Sequence, residues 1–188
     1  MREWYEEIWR ELPADLVPEG VERRLAFLLS SVAPGDRVLD LGCGDGAFTA
    51  ALSATGTHPT GADIAQGALE RAREKHPGPA YVRIEPHGPW PFPDAAFDAV
   101  WAGEVIEHVA DTERWIGEVR RVLRPGGHLL VTTPKVGPLA RLRRAPDPRG
   151  QHLRFYTRRT LHDLLVDMGF AEVRVRVRRD VLMGRATR

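Results

Sequence analysis

The chain switches repeatedly between two hydrophobic periods. Val21, Leu25, Leu28, Leu29 and Val32 recur at three- and four-residue intervals, which predicts a helix over 21–32. Residues 2–12 read as a short amphipathic helix that presents Trp4, Tyr5 and Trp9. Short apolar runs bounded by turn residues predict strands at 37–41, 58–63, 81–84, 97–102 and 128–133. Helical patterns fall between or after them at 47–54, 65–75, 111–123 and 157–168. Val173, Val175 and Val177 then alternate with Arg174, Arg176 and Arg178, predicting a strand over 171–179, with a last one at 181–187. Strands alternating with helices imply a parallel sheet with crossover helices. Pro86, Pro89, Pro91 and Pro93 exclude regular structure from the stretch before the fourth strand. Arg124-Pro125-Gly126-Gly127 predicts a tight turn into the fifth, and 135–156 is a long irregular segment.

At 188 residues the pattern fits one domain. Twenty-seven basic and 26 acidic residues leave a formal net charge of +1, so no global field favours nucleic acid or an anionic membrane. The single cysteine, Cys43, excludes an intrachain disulfide and a cysteine-based zinc cluster. A charged N-terminal stretch and the lack of any long apolar run lead to the expectation of a cytoplasmic protein with no membrane contact.

Chemistry concentrates in Val38-Leu39-Asp40-Leu41-Gly42-Cys43-Gly44-Asp45-Gly46-Ala47, a buried strand running into a glycine-rich loop that opens a helix. Gly42, Gly44 and Ala47 fit the dinucleotide fingerprint, with Asp63 near the distance of a ribose-binding acid, so an NAD-binding protein is one reading. Asp40 and Asp45 oppose it. Carboxylates beside a diphosphate would be unfavourable by on the order of several kcal/mol in a partly buried site. A ligand carrying an ammonium and a sulfonium has the opposite demand.

The loop, together with Gly61-Ala62-Asp63-Ile64, Pro91-Phe92-Pro93-Asp94, Phe97-Asp98-Ala99-Val100, Gly103-Glu104-Val105-Ile106-Glu107-His108-Val109, Arg121-Val122-Leu123-Arg124-Pro125-Gly126-Gly127 and Thr132-Thr133-Pro134, resembles the class I S-adenosylmethionine (SAM)-dependent methyltransferases over roughly 21–187. The resemblance implies a Rossmann-like, doubly wound α/β fold with seven strands, mostly parallel with the last antiparallel. It implies SAM as cofactor, S-adenosylhomocysteine as product, and no metal. By the same resemblance Gly42, Cys43, Gly44 and Gly46 approach the methionine and ribose portions, with Asp40 oriented toward the ammonium. Asp63 binds the ribose, Ile64 packs on the adenine, Glu85 meets the adenine amino group, and Ala102 and Gly103 line the methionine tail. Where the family usually offers a backbone N–H to the adenine, this chain has Pro86, which has no such donor, so His87 either supplies it or the adenine sits differently.

Each candidate has a structural alternative. Asp63 could cap the next helix, and Cys43 suits a small packing residue better than a nucleophile. Glu104 and His108 are four apart and would share one face of a helical turn, making His108 a general base for an acceptor hydroxyl with Glu104 orienting it, or the two a structural pair. His152, Arg154 and Tyr156 are substrate contacts or parts of a pinned loop. Arg141, Arg143, Arg144 and Arg149, like the arginines of 174–179, read as charged surface. The domain is expected to span 1–188, with 1–20 as a lid helix carrying the substrate contacts Trp4, Tyr5 and Trp9, and 135–156 as an active-site loop. So small a lid points to a small-molecule acceptor methylated on oxygen (a natural product, sugar or quinol) by a monomer or homodimer. RNA or protein methylation and NAD binding are the alternatives.

Overall fold

The computed structural model describes residues 2–13, 20–86, 88–135 and 152–188. Helices α1 (Arg2–Glu11) and α2 (Val21–Leu29) precede β1 (Arg37–Leu41), α3 (Ala47–Ala54), β2 (His58–Asp63), α4 (Gln66–Lys75) and β3 (Ala80–Arg83). Then come β4 (Phe97–Gly103), a 3₁₀ turn (Ile106–His108), α5 (Thr112–Val122), β5 (Leu123–Pro134), α6 (Arg158–Asp167), β6 (Ala171–Arg178) and β7 (Val181–Thr187). The seven strands form one sheet in the order β3-β2-β1-β4-β5-β7-β6. Pairings among β1 to β5 are parallel, and β7 runs antiparallel to both β5 and β6, the arrangement the resemblance implies.

Period-two alternation sends neighbouring strand residues to opposite faces. Leu39 and Leu41 of β1, Val100 and Ala102 of β4, and Leu129 and Val131 of β5 join the core with Ile116, Val119, Leu161 and Leu165 from α5 and α6. Val38, Ala99, Trp101 and Leu130 face the other way, against Leu28 of α2 and Leu52 of α3. The sheet is therefore wound on both sides, which makes its central strands apolar on both faces over most of their length. Trp101, 1% exposed, anchors the second layer between Phe27 and Phe48, with ring centroids 6.2 and 5.3 Å away. On β6 the valines turn inward and Arg174, Arg176 and Arg178 stay exposed.

Two expected boundaries shift. The turn at 124–127 is drawn into β5, which starts at Leu123 opposite Phe97, with a register irregularity before Ala99. Asp98 explains the departure: its carboxylate accepts from Arg124 at 2.5 Å and from the Arg37 backbone N–H at 2.8 Å, holding Arg124 at the edge of the sheet. Gly126 and Gly127 are further pinned by reciprocal backbone bonds with Arg188. Helix α2 stops at Leu29, short of Val32. No helix among the described residues is long and apolar enough to cross a membrane.

Candidate active site

The strand order reverses at β1, which lies between β2 and β4. At such a switch point the loops leaving the C-terminal ends of adjacent strands diverge and leave a crevice. Here it holds a cavity of about 230 Å³. Leu41, Gly42 and Gly44 form its floor, with Asp63 and Ile64 from the end of β2 and Ile84 and Pro86 from the end of β3. Glu104, Val105, His108 and Val109 line the far side with Trp115 of α5, and Tyr5 and Trp9 of α1 close the top.

The glycine loop is tied to β2 before any ligand binds. The N–H groups of Gly42 and Cys43 donate to the Ala62 carbonyl at 2.7 and 3.0 Å. That of Gly44 donates to one oxygen of Asp63 at 3.0 Å, and that of Ala65 to the other at 2.9 Å. Gly42 and Gly44 have φ of +75° and +54°. A methyl group on Gly42 would fall 2.5 Å from Val105, and one on Gly44 2.8 Å from the Trp9 ring. Both positions therefore need glycine for backbone shape and for the space above it. Burial pushes the Asp63 carboxyl upward, against the lowering effect of its three backbone donors.

Several expected contacts are placed elsewhere. Asp40 is 2% exposed beneath the loop, where it accepts the Thr49 hydroxyl at 2.5 Å, and burial pushes its carboxyl up to about 7. It does not border the cavity. Asp45 turns outward to Lys75 at 2.6 Å, so the second carboxylate expected in the loop leaves it. Gly46 gives room to Tyr81 and Ala72 rather than to a ligand, and Cys43 packs with Leu69, Ala72 and Tyr81, its thiol driven up by burial. Ala102 is wholly buried in the core, and Gly103 lies against Trp101. Glu85 is exposed and offers its carbonyl to the Trp90 indole at 3.0 Å. His87 lies outside the described residues, as do the arginines of 141–149.

The acceptor end also differs from expectation. Glu104 and His108 do not share a helical face, because the 3₁₀ turn spans only Ile106–His108 and Glu104 adopts φ +59° ahead of it. Glu104 instead pairs with the buried Arg24 of α2 at 2.8 Å. The carboxylate beside His108 is Glu107, with Oε1 3.9 Å from Nε2. Glu107 is 1% exposed, and burial pushes it up to about 8. His152 stacks edge-on to His108 at 5.0 Å, and Tyr5 approaches the same ring at 6.2 Å. Arg154 is a staple: its guanidinium donates to the carbonyls of Val109 and Ala110 at 2.5 and 2.9 Å and to the Thr112 hydroxyl. Tyr156 is buried in the core, and Trp4 packs on Tyr5 without bordering the cavity. Glu107, His108 and His152 bring ligand-type atoms within 4.8 Å of one another. Glu107 escaped sequence selection although a carboxylate among Val105, Ile106 and Val109 is itself a sign of a buried, purposeful charge.

The geometry is accompanied by similarity to known proteins. Residues 1–175 match the family profile described as a methyltransferase domain. The chain belongs to the SAM-dependent methyltransferases. It is 36% identical over 122 residues to a demethylmenaquinone methyltransferase of Clavibacter sepedonicus, a match taking in 62% of this chain and 49% of that protein. It is 35% identical over 134 residues to the 27-O-demethylrifamycin SV methyltransferase of Amycolatopsis mediterranei, over 64% of this chain and 47% of that one. This methyltransferase chain thus spans about half the length of these relatives. The Haemonchus contortus phosphoethanolamine N-methyltransferase 2, solved with SAM, has the same fold, with a TM-score of 0.72 at 22% identity over 92% of this chain and 42% of that one.

Proposed function

We propose that the chain transfers the methyl group of SAM to a hydroxyl oxygen of a small-molecule acceptor, a natural product, sugar or quinol, in the cytoplasm. The observation that carries this reading is the continuity of one cavity from the glycine floor and Asp63 to His108. The residues fit the cofactor: glycine backbone where any Cβ would collide, a buried carboxylate for the ribose hydroxyls, and the apolar Ile64, Ile84 and Pro86 for the adenine. When bound, SAM supplies an electrophilic methyl on a positive sulfur. Asp63 accepts the ribose hydroxyls with lone pairs left by Gly44 and Ala65. Gly42 and Gly44 let the methionine portion lie on the backbone, while Tyr5 and Trp9 exclude water. His108 meets the acceptor oxygen, and Val105, Val109 and Trp115 shape its apolar side. Alignment and water exclusion account for much of the acceleration in an in-line displacement.

Both relatives support a small acceptor, since one is named for a demethylmenaquinone and the other for an O-demethylated rifamycin. The arginines of β6 line a separate groove with α2, and none of them borders the cavity. Calorimetry with SAM, S-adenosylhomocysteine and NAD tests the cofactor: the first two bind and NAD does not. NAD binding without SAM or its product would overturn the reading. His108→Ala is expected to keep SAM affinity and to lower turnover by at least about a hundredfold. Unchanged turnover would remove His108 from the acceptor site.

A further inference from the structure

We propose that the arginine-bearing face of β6 and β7, beside α2, binds the phosphate backbone of a single-stranded nucleic acid. Period-two alternation puts Arg174, Arg176 and Arg178 of β6 on the face opposite the inward valines. Register sets Arg174 against Arg185 of β7, two like charges directly across a strand pair, which weakens a sheet rather than stabilising it. Arg23 of α2 adds a fifth guanidinium across the groove of about 460 Å³ that these residues line. Among the described residues their one ion pair is Arg23 with Asp180, exposed and at 3.2 Å. The surplus charge is felt at His128, which accepts from Arg185 at 2.9 Å: burial first, then the charges of Arg185 and Arg124, lower its pKa. None of these arginines borders the cavity, so the surface stands apart from the methyl-transfer reading.

The basic band does not stop at that groove. Arg174 and Arg176 also line a second one, of about 610 Å³, with Arg158, Arg159 and His162 of α6. Asp163 tempers it, paired with Arg159 at 3.4 Å. Because β6 is the edge strand of the sheet, the two grooves meet around that edge. A chain of net charge +1 thus gathers seven arginines in one place, a local field that the overall charge conceals. A charged edge strand guards against pairing, but that purpose is served without setting one arginine opposite another. Spacing selects the anion. Alternate residues of a strand recur every ~6.7 Å. Such a row of guanidiniums, each able to fork onto two oxygens of one phosphate, suits a chain charged at every unit. Phe27, half-buried, lines the first groove and offers an aromatic face to a base. A protein partner calls for an apolar centre. The exposed large apolar side chain among the described residues, Val166, lines neither groove. Interfaces with nucleic acid are instead polar and strongly basic. The same lack of an apolar wedge disfavours a membrane.

The test uses the full chain and the fluorescence anisotropy of a labelled oligouridylate of roughly 12 nucleotides, from about 50 to 200 mM salt, with SAM affinity measured in parallel. Four neutralised phosphates give a slope of log K against log salt of about −3. Arg174→Ala combined with Arg176→Ala should weaken binding more than about tenfold and flatten that slope by about 1.4, while SAM affinity and melting temperature hold. Arg174→Lys with Arg176→Lys should restore the slope, because the charge and not the fold is what was removed. No binding at about 50 mM salt, or an unaltered slope in the alanine variant, overturns the arginine track and leaves the methyltransferase reading standing. Displacement of the oligonucleotide by an equal charge of oligoglutamate overturns the choice of nucleic acid in favour of an acidic protein. Binding to phosphatidylserine vesicles with none to the oligonucleotide overturns it in favour of a membrane.

Discussion

Both oxygens of Asp63 are engaged by backbone N–H groups, Gly44 on one and Ala65 on the other, and each oxygen keeps a lone pair for the cavity. In Asp63→Asn one of those N–H groups must face an amide NH₂. An unsatisfied buried donor costs about 1–3 kcal/mol, so the variant should melt earlier and also bind SAM more weakly, checked by thermal unfolding and calorimetry. Undiminished SAM affinity would confine Asp63 to pinning the loop. This residue was legible in the sequence because its partners lie in the same motif and at the next helix start. Asp40 and Asp45 were not, because Thr49 and Lys75, which decide where those carboxylates point, lie on the two helices α3 and α4. The charge argument against a dinucleotide therefore loses both of its carboxylates at the cavity wall, and the choice of SAM rests on the family match. Glu107 and His152 were illegible as a pair for the same reason at longer range: only the folded chain brings them together.

Element boundaries follow local pattern where the core supplies the pattern, and drift where a single polar contact decides. The central strands alternate between two apolar layers, so β1, β2 and β4 lie close to where periodicity puts them. The start of β5 depends on Asp98 gripping Arg124, which no periodicity encodes. Helix α1 is a further case. Its aromatic stripe announced a lid, but its fastening is Glu6, whose carboxylate accepts the N–H groups of Gln66 and Gly67 at 2.6 and 3.0 Å. The first turn of α4 lacks a side-chain cap of its own, so Glu6 caps it from another helix. These backbone donors, with Gly67 the largest contribution, lower the Glu6 pKa. A lowered carboxylate stabilises above its unfolded value of 4.5 and loses that contribution as pH falls through the lowered one. Glu6→Ala should cost about 0.5–2 kcal/mol of docking, the range for a lost cap. Faster amide exchange over 2–11 and faster SAM dissociation would report it. Exchange equal to the parent would mean that Trp9 and Tyr5 alone hold the lid.

For the molecule as a whole, the buried acids under the glycine loop make stability depend on pH in an unusual direction. At Asp40 burial dominates, Thr49 offsets part of it, and Asp63 adds repulsion. With its carboxyl raised from 3.8 to about 7, the folded chain keeps a proton between those values that the unfolded chain has lost. The unfolded state then binds fewer protons, so stability falls as pH rises across that window and stays lowered above it. Asp63, raised by the same burial, adds in the same direction. Asp40→Asn keeps an acceptor for Thr49 and abolishes the charge. It should match the parent below pH 4 and exceed it by on the order of a few kcal/mol above pH 7, seen as a gap between the two melting curves that opens with pH. Bound SAM should narrow that gap. Its ammonium and sulfonium would bring positive charge into the cavity above the loop, and a ligand that binds only the folded state adds stability as its concentration exceeds its dissociation constant. A melting temperature whose SAM-induced rise is the same at pH 5 and pH 8, in parent and Asp40→Asn alike, would show that these buried charges act on the fold without acting on the cofactor.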